Sequence, residues 1–163
     1  MLYFIPAWYK QNTWSEKVQS WYERRTKSEF DETIKHITLC HRNMDVEFRI
    51  LLLGFSPNFR HFLHRQGMYR APCGSCFDAV CQIRQTKTAV LSYLDIKWPE
   101  GVAFVYSPFA VIAYMQGEKY AQVEFGEDGN PIAIAMYRNE QVIRKNYYDD
   151  RGFVSGSVVY ENG

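Results

Sequence analysis

The sequence lacks any hydrophobic run long enough to cross a membrane. Its longest apolar stretches, at 50–53 and 109–114, are far shorter than the roughly 20 residues that a spanning helix needs. The apolar start at 2–5 stops at Pro6 and follows no basic residue, which is not the form of a secretory signal. Four cysteines without an export signal favour reduced thiols and a cytoplasmic location, with peripheral contact at the inner face of the cell membrane left open.

An excess of charge of one sign is also missing. The 19 Lys and Arg residues balance 18 Asp and Glu residues, so no basic field indicates nucleic acid as a partner. The balance changes along the chain, with 14 basic and 10 acidic residues in 1–100 but 5 and 8 in 101–163. Because the hydrophobic pattern also changes near residue 100, we predict two units, 1–100 and 101–163.

The motifs that usually mark catalysis are absent from the sequence. It has no GxGxxG or Walker loop, no GxSxG elbow and no HExxH pair. The turn after the first predicted strand, PAWY at 6–9, is too bulky to bring backbone N–H groups against a phosphate. We therefore predict no catalytic, cofactor-binding or metal-binding residues and no cofactor.

One cysteine motif remains as an alternative. CGSC at 73–76 has the CxxC form of a redox motif, and the start of a predicted helix would lower a thiol pKa. Pro72 precedes the motif and no predicted strand leads directly into it, so structural or incidental cysteines are favoured. The role of Cys73 and Cys76 stays open.

Two further groups of side chains could hold an ion, and both have a simpler explanation. A zinc site would draw on the CxxC cysteines with Cys81, but a structural zinc site usually needs two such pairs. A basic helix face could steer an anionic ligand or an acidic membrane surface, although a solvated face explains it as well. The residues concerned are His61 or His64 for zinc, His36 with Cys40 as a possible shared ligand pair, and Arg60, His61, His64 and Arg65 for the basic face.

The first half of the chain alternates strand and helix patterns. A short buried strand at 2–5 precedes two helical patterns, and the apolar run at 50–53 is typical of a strand covered by helices on both faces. Ser56 is predicted to cap the next helix and Gly67 to end it. A chain that begins with strand, helix, strand and helix is typical of the start of an open α/β sheet. The predicted elements are strands at 2–5 and 46–55, and helices at 13–22, from a capping box of Ser28 with Asp31, at 58–66 and at 72–84.

The second half has the two-residue period of a β-sheet. Turn signals recur about every 11 residues, which is typical of strands joined by hairpins in an antiparallel meander. The strand at 109–115 is apolar on both faces and is predicted to be central. Its second face is covered either by a partner protein or extended peptide, or within the full-length chain. The predicted strands are 109–115, 120–125, 132–137, 141–148 and 153–160.

The chain is expected to be the amino-terminal piece of a longer protein. It ends on a hairpin turn, Asn162 and Gly163, that no strand follows. An α/β sheet of two strands is also incomplete. With 12 Tyr, 11 Phe and 4 Trp, 17% of the chain is aromatic, so part of this surface is expected to face the missing remainder or a partner.

Six blocks of the sequence together resemble one protein family. They are LYFIPAWY at 2–9, FRHFLHRQ at 59–66, WPEG at 98–101, FVYSPF at 104–109, YAQVEFGEDGN at 120–130 and YDDRGFVS at 148–155. The chain resembles, over its whole length, the accessory secretory protein one family of the accessory Sec system, found in streptococci and related Gram-positive bacteria. Residues 73–76 depart from the bulky aromatic pattern of that family.

The resemblance implies a fold and a function. The family is similar to GT-B glycosyltransferases that have lost catalysis, so the expected fold is a partial Rossmann-like α/β unit followed by an inserted antiparallel β-meander. The implied role is non-catalytic, in an export complex for glycosylated serine-rich-repeat adhesins. The implied partners are two sister accessory secretory proteins, the accessory translocase ATPase, the adhesin and an anionic membrane surface. The alternative is the acceptor-binding amino-terminal half of an active GT-B protein O-glycosyltransferase of the same pathway.

Overall fold

The computed structural model describes residues 1–5, 32–43, 45–108, 110–126 and 129–161. The predicted helix at 13–22 and the capping box of Ser28 with Asp31 lie outside these residues. The chain divides into two compact units, and the change between them lies after Thr86. The second unit therefore takes in 87–100, which the sequence pattern assigned to the first, because apolar side chains of this segment pack on the second sheet. The predicted mixed α/β class is confirmed.

Three described strands of the first unit form a parallel sheet. Strand β1 (Leu2–Phe4) pairs with β2 (Phe48–Leu52), and β2 pairs with β3 (Cys73–Ser75). Helix α1 (Glu32–Arg42) precedes β2, and α2 (Phe59–Arg65) connects β2 to β3. Right-handed crossovers that advance in one direction place both helices on one face of the sheet.

The core of the first unit lies between this face and the two helices. Phe48, Ile50 and Leu52 are buried, whereas Arg49, which points to the opposite face, is exposed. Leu53 is 57% exposed, so the prediction that helices cover both faces of this run is wrong for the described residues. The core cluster also contains Ile37, Phe59, Leu63, Met68 and Ala71.

The predicted helix at 72–84 is confirmed only at 76–80 and is wrong at both of its ends. Cys73 to Ser75 form strand β3, and helix α3 (Cys76–Val80) begins only afterwards. Cys73 is in a strand because it pairs with Ile50 and packs against the core. The helix begins after Ser75 because the Ser75 hydroxyl caps it, accepting hydrogen bonds from the N–H groups of Phe77 at 3.2 Å and Asp78 at 3.4 Å. The first cysteine of the CxxC therefore lies in a strand and the second in the first turn of a helix.

The predicted N-cap of α2 is also wrong. Asn58, not Ser56, is the N-cap residue, and its side chain makes no capping hydrogen bond. Ser56 acts instead through its backbone carbonyl, which accepts from the Phe59 N–H at 3.3 Å. The predicted end of the helix is confirmed, because Gly67 follows with φ +70°, a backbone angle that suits glycine.

The second unit contains an antiparallel meander sheet of six described strands, in sequence order from β4 to β9. All five predicted strands are present, with ends shifted by up to two residues. The predicted count was one too low, because β4 lies in a short apolar stretch that follows WPEG and has no clear alternation. The bounds are β4 (Ala103–Tyr106), β5 (Ala110–Met115), β6 (Glu118–Phe125), β7 (Pro131–Arg138), β8 (Gln141–Tyr148) and β9 (Val154–Val159).

One face of the meander sheet carries the core of the second unit. Val111, Val123 and Ile134 stand in one cross-strand row, since Val111 pairs with Val123 and Val123 pairs with Ile134. All three are buried in one cluster with Ala113, Ala121 and Tyr148. Segment 87–102 contributes the side chains that cover this face, which are Leu91, Tyr93, Ile96, Trp98 and Val102. Strand β5 is an inner strand, as predicted, because it pairs with β4 and β6.

Candidate interaction surface

The side chains that stand out in the second unit are aromatic. We call Tyr93, Trp98, Phe104, Tyr106, Tyr120 and Phe125 the aromatic cluster. Tyr93 and Trp98 both lie edge-on to Phe104, with ring centres 5.3 Å and 5.4 Å from that of Phe104. Such edge-to-face pairs contribute about 0.5–1.5 kcal/mol each beyond simple burial. The cluster accounts for part of the aromatic surplus seen in the sequence.

Within the aromatic cluster, a hydrogen bond between two hydroxyl groups joins Tyr93 to the outer strand β4. The Tyr93 and Tyr106 hydroxyl oxygens are 2.8 Å apart, a hydrogen-bond distance. This bond, with some desolvation, raises the pKa of Tyr93 above its ordinary value of 10.0. The Trp98 indole N–H donates to the Tyr93 carbonyl at 2.8 Å, so the backbone of the turn is fixed as well. Tyr106 itself is 66% exposed and available to a partner.

A short turn holds Tyr93 in place. The 3₁₀ turn Tyr93–Asp95 starts at Ser92, whose hydroxyl accepts from the Leu94 N–H at 3.2 Å. The Asp95 carboxylate accepts from the Ser92 N–H at 2.9 Å, which completes a capping box. These local hydrogen bonds fix the backbone of the turn that carries Tyr93.

The segment at 87–92, which we call the lead-in segment, is bonded to two loops of the sheet. The Ala89 N–H donates to the Asp150 carbonyl at 3.1 Å, and the Leu91 N–H donates to Asn130 Oδ1 at 3.1 Å. Asn130 lies between β6 and β7, and Asp150 lies between β8 and β9. The lead-in segment is therefore held at Ala89 and Leu91 by the β8–β9 turn and the β6–β7 loop.

The turn between β8 and β9 is charged and buried. Asp149, Asp150 and Arg151 are only 6%, 3% and 7% exposed. Arg151 donates three hydrogen bonds to the Asp149 carboxylate, from its backbone N–H to Oδ1 at 3.0 Å, from Nε to Oδ1 at 2.6 Å and from Nη2 to Oδ2 at 2.8 Å. The Arg151 guanidinium also lies 5.0 Å from the Phe153 ring centre. Sequence reasoning identified this stretch as a turn but not as a buried one, because charge normally indicates exposure.

The opposite face of the sheet is more polar. Lys145 Nζ pairs with Glu124 Oε1 at 3.2 Å, and both side chains are less than a fifth exposed. Lys119 donates to Gln122 Oε1 at 2.7 Å and lies 4.0 Å from the centre of the Tyr137 ring. The Lys145–Glu124 pair joins β8 to β6 across β7, and the Lys119–Gln122 bond lies within β6. The contact of Lys119 with Tyr137 joins the neighbouring strands β6 and β7, and cross-strand contacts of that kind contribute roughly 0.2–1 kcal/mol.

The cysteines and histidines singled out in the sequence are not assembled into one site. All four cysteines are free thiols; Cys40 and Cys73 pack against the core of the first unit, and the Cys76 thiol donates to the Leu53 carbonyl at 3.0 Å. His64 is exposed and lies edge-on to Tyr69, with ring centres 5.7 Å apart. Within the described ranges, no three His, Cys, Asp or Glu side chains are grouped so that they could hold a metal ion.

No helix in the part of the chain that the structure describes is long and apolar enough to span a bilayer.

Comparison with known proteins identifies the family. The family model of accessory Sec system protein 1 matches residues 1–163, the whole chain. A curated accessory Sec system protein 1 from Streptococcus gordonii is 36% identical over all of this chain and 31% of its own length. The chain thus spans about a third of the length of that relative.

Two solved complexes contain a chain of the same fold. One is the crystal structure of accessory secretory proteins 1, 2 and 3 of Streptococcus pneumoniae, with a TM-score of 0.88 and 38% identity over all of this chain and 33% of that one. The other is the Glycosylation Associate Protein (Gap123) complex of Streptococcus agalactiae, with a TM-score of 0.89 and 37% identity over the same shares. The match over every residue, in sequence and in fold, shows that this chain belongs to the accessory Sec system protein 1 family.

Proposed function

We propose that the chain is a non-catalytic component of an accessory Sec export complex and acts through protein–protein contacts. The observation that supports this most strongly is its full-length similarity to chains in two complexes of accessory secretory or glycosylation-associated proteins. The two sister accessory proteins are accordingly its proposed partners. The rigid aromatic cluster, bordered by exposed side chains of the outer strand, offers the kind of surface that such contacts use.

The finer features of the role belong to the same proposal. The cargo is a glycosylated serine-rich-repeat adhesin, the other partner is the accessory translocase ATPase, and the location is cytoplasmic, at the inner face of the membrane. These features are the ones that the resemblance to the accessory secretory protein one family implies.

The parallel sheet is proposed to be part of a Rossmann-like unit of glycosyltransferase type. Strand β1 supports this, since Leu2 and Tyr3 are 51% and 59% exposed although both are large and apolar. A strand of this composition is typical of the inside of a sheet with layers on both faces. Longer relatives have the chain length to supply those layers.

The absence of catalysis is tested by incubating the purified chain with UDP-glucose and with UDP-N-acetylglucosamine, with and without a serine-rich peptide. We expect no release of UDP above that in buffer. Peptide-dependent release would contradict the proposal and favour the alternative, the acceptor-binding half of an active protein O-glycosyltransferase. An active glycosyltransferase with the same peptide serves as the control for the assay.

A further inference from the structure

The outer edge of β4 has no strand beside it in the described part of the chain. Among the described strands, β4 is the first in the sheet order and pairs only with β5. An edge strand presents a row of backbone N–H and C=O groups that can pair with another chain, and proteins usually protect such edges with charge, proline or a bulge. The segment 102–107 contains no charged residue and no proline, and the register of β4 with β5 is regular.

The pairing pattern shows which backbone groups of β4 point outward. The Ser107 N–H donates to the Ala110 carbonyl at 2.9 Å, so this opposed pair is hydrogen-bonded. In an antiparallel ladder, bonded and non-bonded pairs alternate, so Val105 bonds to β5 while the N–H and C=O groups of Phe104 and Tyr106 point away from it. Within the described ranges, the backbone N–H and C=O groups of Phe104 and Tyr106 have no hydrogen-bond partner.

The side chains along this edge are apolar on both faces of the sheet. Tyr106 is 66% exposed on the core face and Val105 is 52% exposed on the other. Leu94, in the 3₁₀ turn, is 65% exposed. The edge is also held rigid, because Tyr106 is bonded to Tyr93 and Phe104 is packed in the aromatic cluster.

The other described edge of the sheet is less suited to binding. Strand β9 has the sequence VSGSVV, in which Gly156 and two serines weaken the extended conformation. The hydroxyls of these serines are already bonded to neighbouring groups, Ser155 to the Tyr147 carbonyl at 3.3 Å and Ser157 to Asn146 Oδ1 at 2.7 Å. This edge therefore serves as an internal comparison.

We propose that the outer edge of β4 accepts an extended, uncharged segment of a partner polypeptide as an additional strand. Only another extended backbone offers donors and acceptors at the spacing of Phe104 and Tyr106, and a segment without charge matches an edge without charge. This inference adds a binding mode to the proposed function and does not depend on it, because the mode requires no sister protein.

Peptide binding to matched variants tests the site. The probe is a fluorescent peptide of about ten residues, alternating Val and Thr with a Lys at each end, and its control carries N-methyl groups on alternate amides so that it cannot extend a sheet. We expect Val105→Lys to weaken binding about tenfold or more, since it places a charge on the edge, whereas Val154→Lys on β9 changes it less than about twofold. Tyr106→Pro, which removes an outward N–H, should weaken binding more than Tyr106→Val.

Amide hydrogen exchange locates the added strand without any substitution. In the free chain the amides of Phe104 and Tyr106 should exchange quickly and that of Val105 slowly, because only the last is bonded to β5. With saturating peptide, exchange at Phe104 and Tyr106 should slow by about tenfold or more. Because this measurement uses the chain without substitutions, it tests the proposal even if a variant fails to fold.

Several results would overturn the proposal. They are no saturable binding of the peptide, equal binding of the N-methylated peptide, or a greater loss in Val154→Lys than in Val105→Lys. Protection of the Phe104 and Tyr106 amides that rises with protein concentration without peptide would assign the edge to a second copy of the chain instead. If the peptide fails to bind while the chain still retains the sister proteins, the edge proposal is wrong and the proposed function stands.

Discussion

At the scale of single residues, the second unit contains charged side chains that are buried in the fold, where charge is rare. Arg151 and Asp149 are both less than a tenth exposed, and two hydrogen bonds join their side chains. Removing one member of a buried pair leaves the other charge without compensation, which costs more than the pair itself contributes. The sequence shows the turn at 149–152 but not its burial, because burial depends on the lead-in segment that bonds to Asp150 from outside the hairpin.

Substitution of Arg151 tests this pair. We expect Arg151→Leu to lower the free energy of unfolding by about 3 kcal/mol, because the buried Asp149 charge loses its opposite charge and keeps only the hydrogen bond from the backbone N–H of residue 151. Arg151→Lys should lower the free energy of unfolding by less than Arg151→Leu does, since lysine keeps the positive charge but cannot make the bidentate contact with the carboxylate. Urea denaturation measures the effect, with Arg138→Leu on an exposed position as the control, expected to change stability by less than about 0.5 kcal/mol. Equal losses in Arg151→Leu and Arg138→Leu would show that the pair contributes nothing.

Tyr148 gives the second unit a dependence on high pH. Burial raises the pKa of its phenol above the ordinary value of 10.0, although the Arg144 charge lowers it by less. A pKa that is higher in the folded state stabilises the fold fully below pH 10.0 and loses that effect as pH rises through the folded value. We expect the free energy of unfolding to fall above pH 10.0, and to fall less steeply in Tyr148→Phe. The same slope in both proteins would contradict this assignment.

At the scale of elements, sequence patterns predicted the meander better than the α/β part. Hairpin strands follow directly from alternation and turn residues, so five of the six described strands could be found. Strand β3 was missed because three residues carry no period, and only its pairing with β2 makes them a strand. Ser75 followed by Asp78, a capping signal, could have placed the start of α3 correctly. The hydroxyl pair of Tyr93 with Tyr106 had no sequence signal, since it joins a turn to a strand 13 residues away.

Two glycines in turns test how closely the lead-in segment packs on the β8–β9 turn. Gly152 (φ +87°) and Gly117 (φ +84°) have nearly the same positive φ, so alanine strains the backbone at both positions by about 1 kcal/mol. A Cβ at Gly152 would also come 3.1 Å from the Ala89 Cβ, whereas at Gly117 it would meet nothing within 4 Å. We therefore expect Gly152→Ala to destabilise the chain more than Gly117→Ala by thermal denaturation. Ala89→Gly should remove the difference, and a difference that persists would contradict the packing.

At the scale of the whole molecule, two compact units follow one another with the change after Thr86. Composition and periodicity predicted two units, and they placed the change later because 87–100 has no period of its own. Family membership was predictable because six short blocks are spread along the full length of the chain. Partner surfaces were not predictable, since an aromatic residue in a strand has the same pattern whether it faces a core or a partner.

The central claim is that the chain works by binding its sister accessory proteins. The most direct measurement is capture of untagged accessory secretory proteins 2 and 3 of the same organism by the tagged chain, with the retained amounts quantified against a tagged unrelated α/β domain. We predict that the chain retains at least one of them in stoichiometric amount and that the control retains neither. Retention of neither protein by the folded chain would contradict the account.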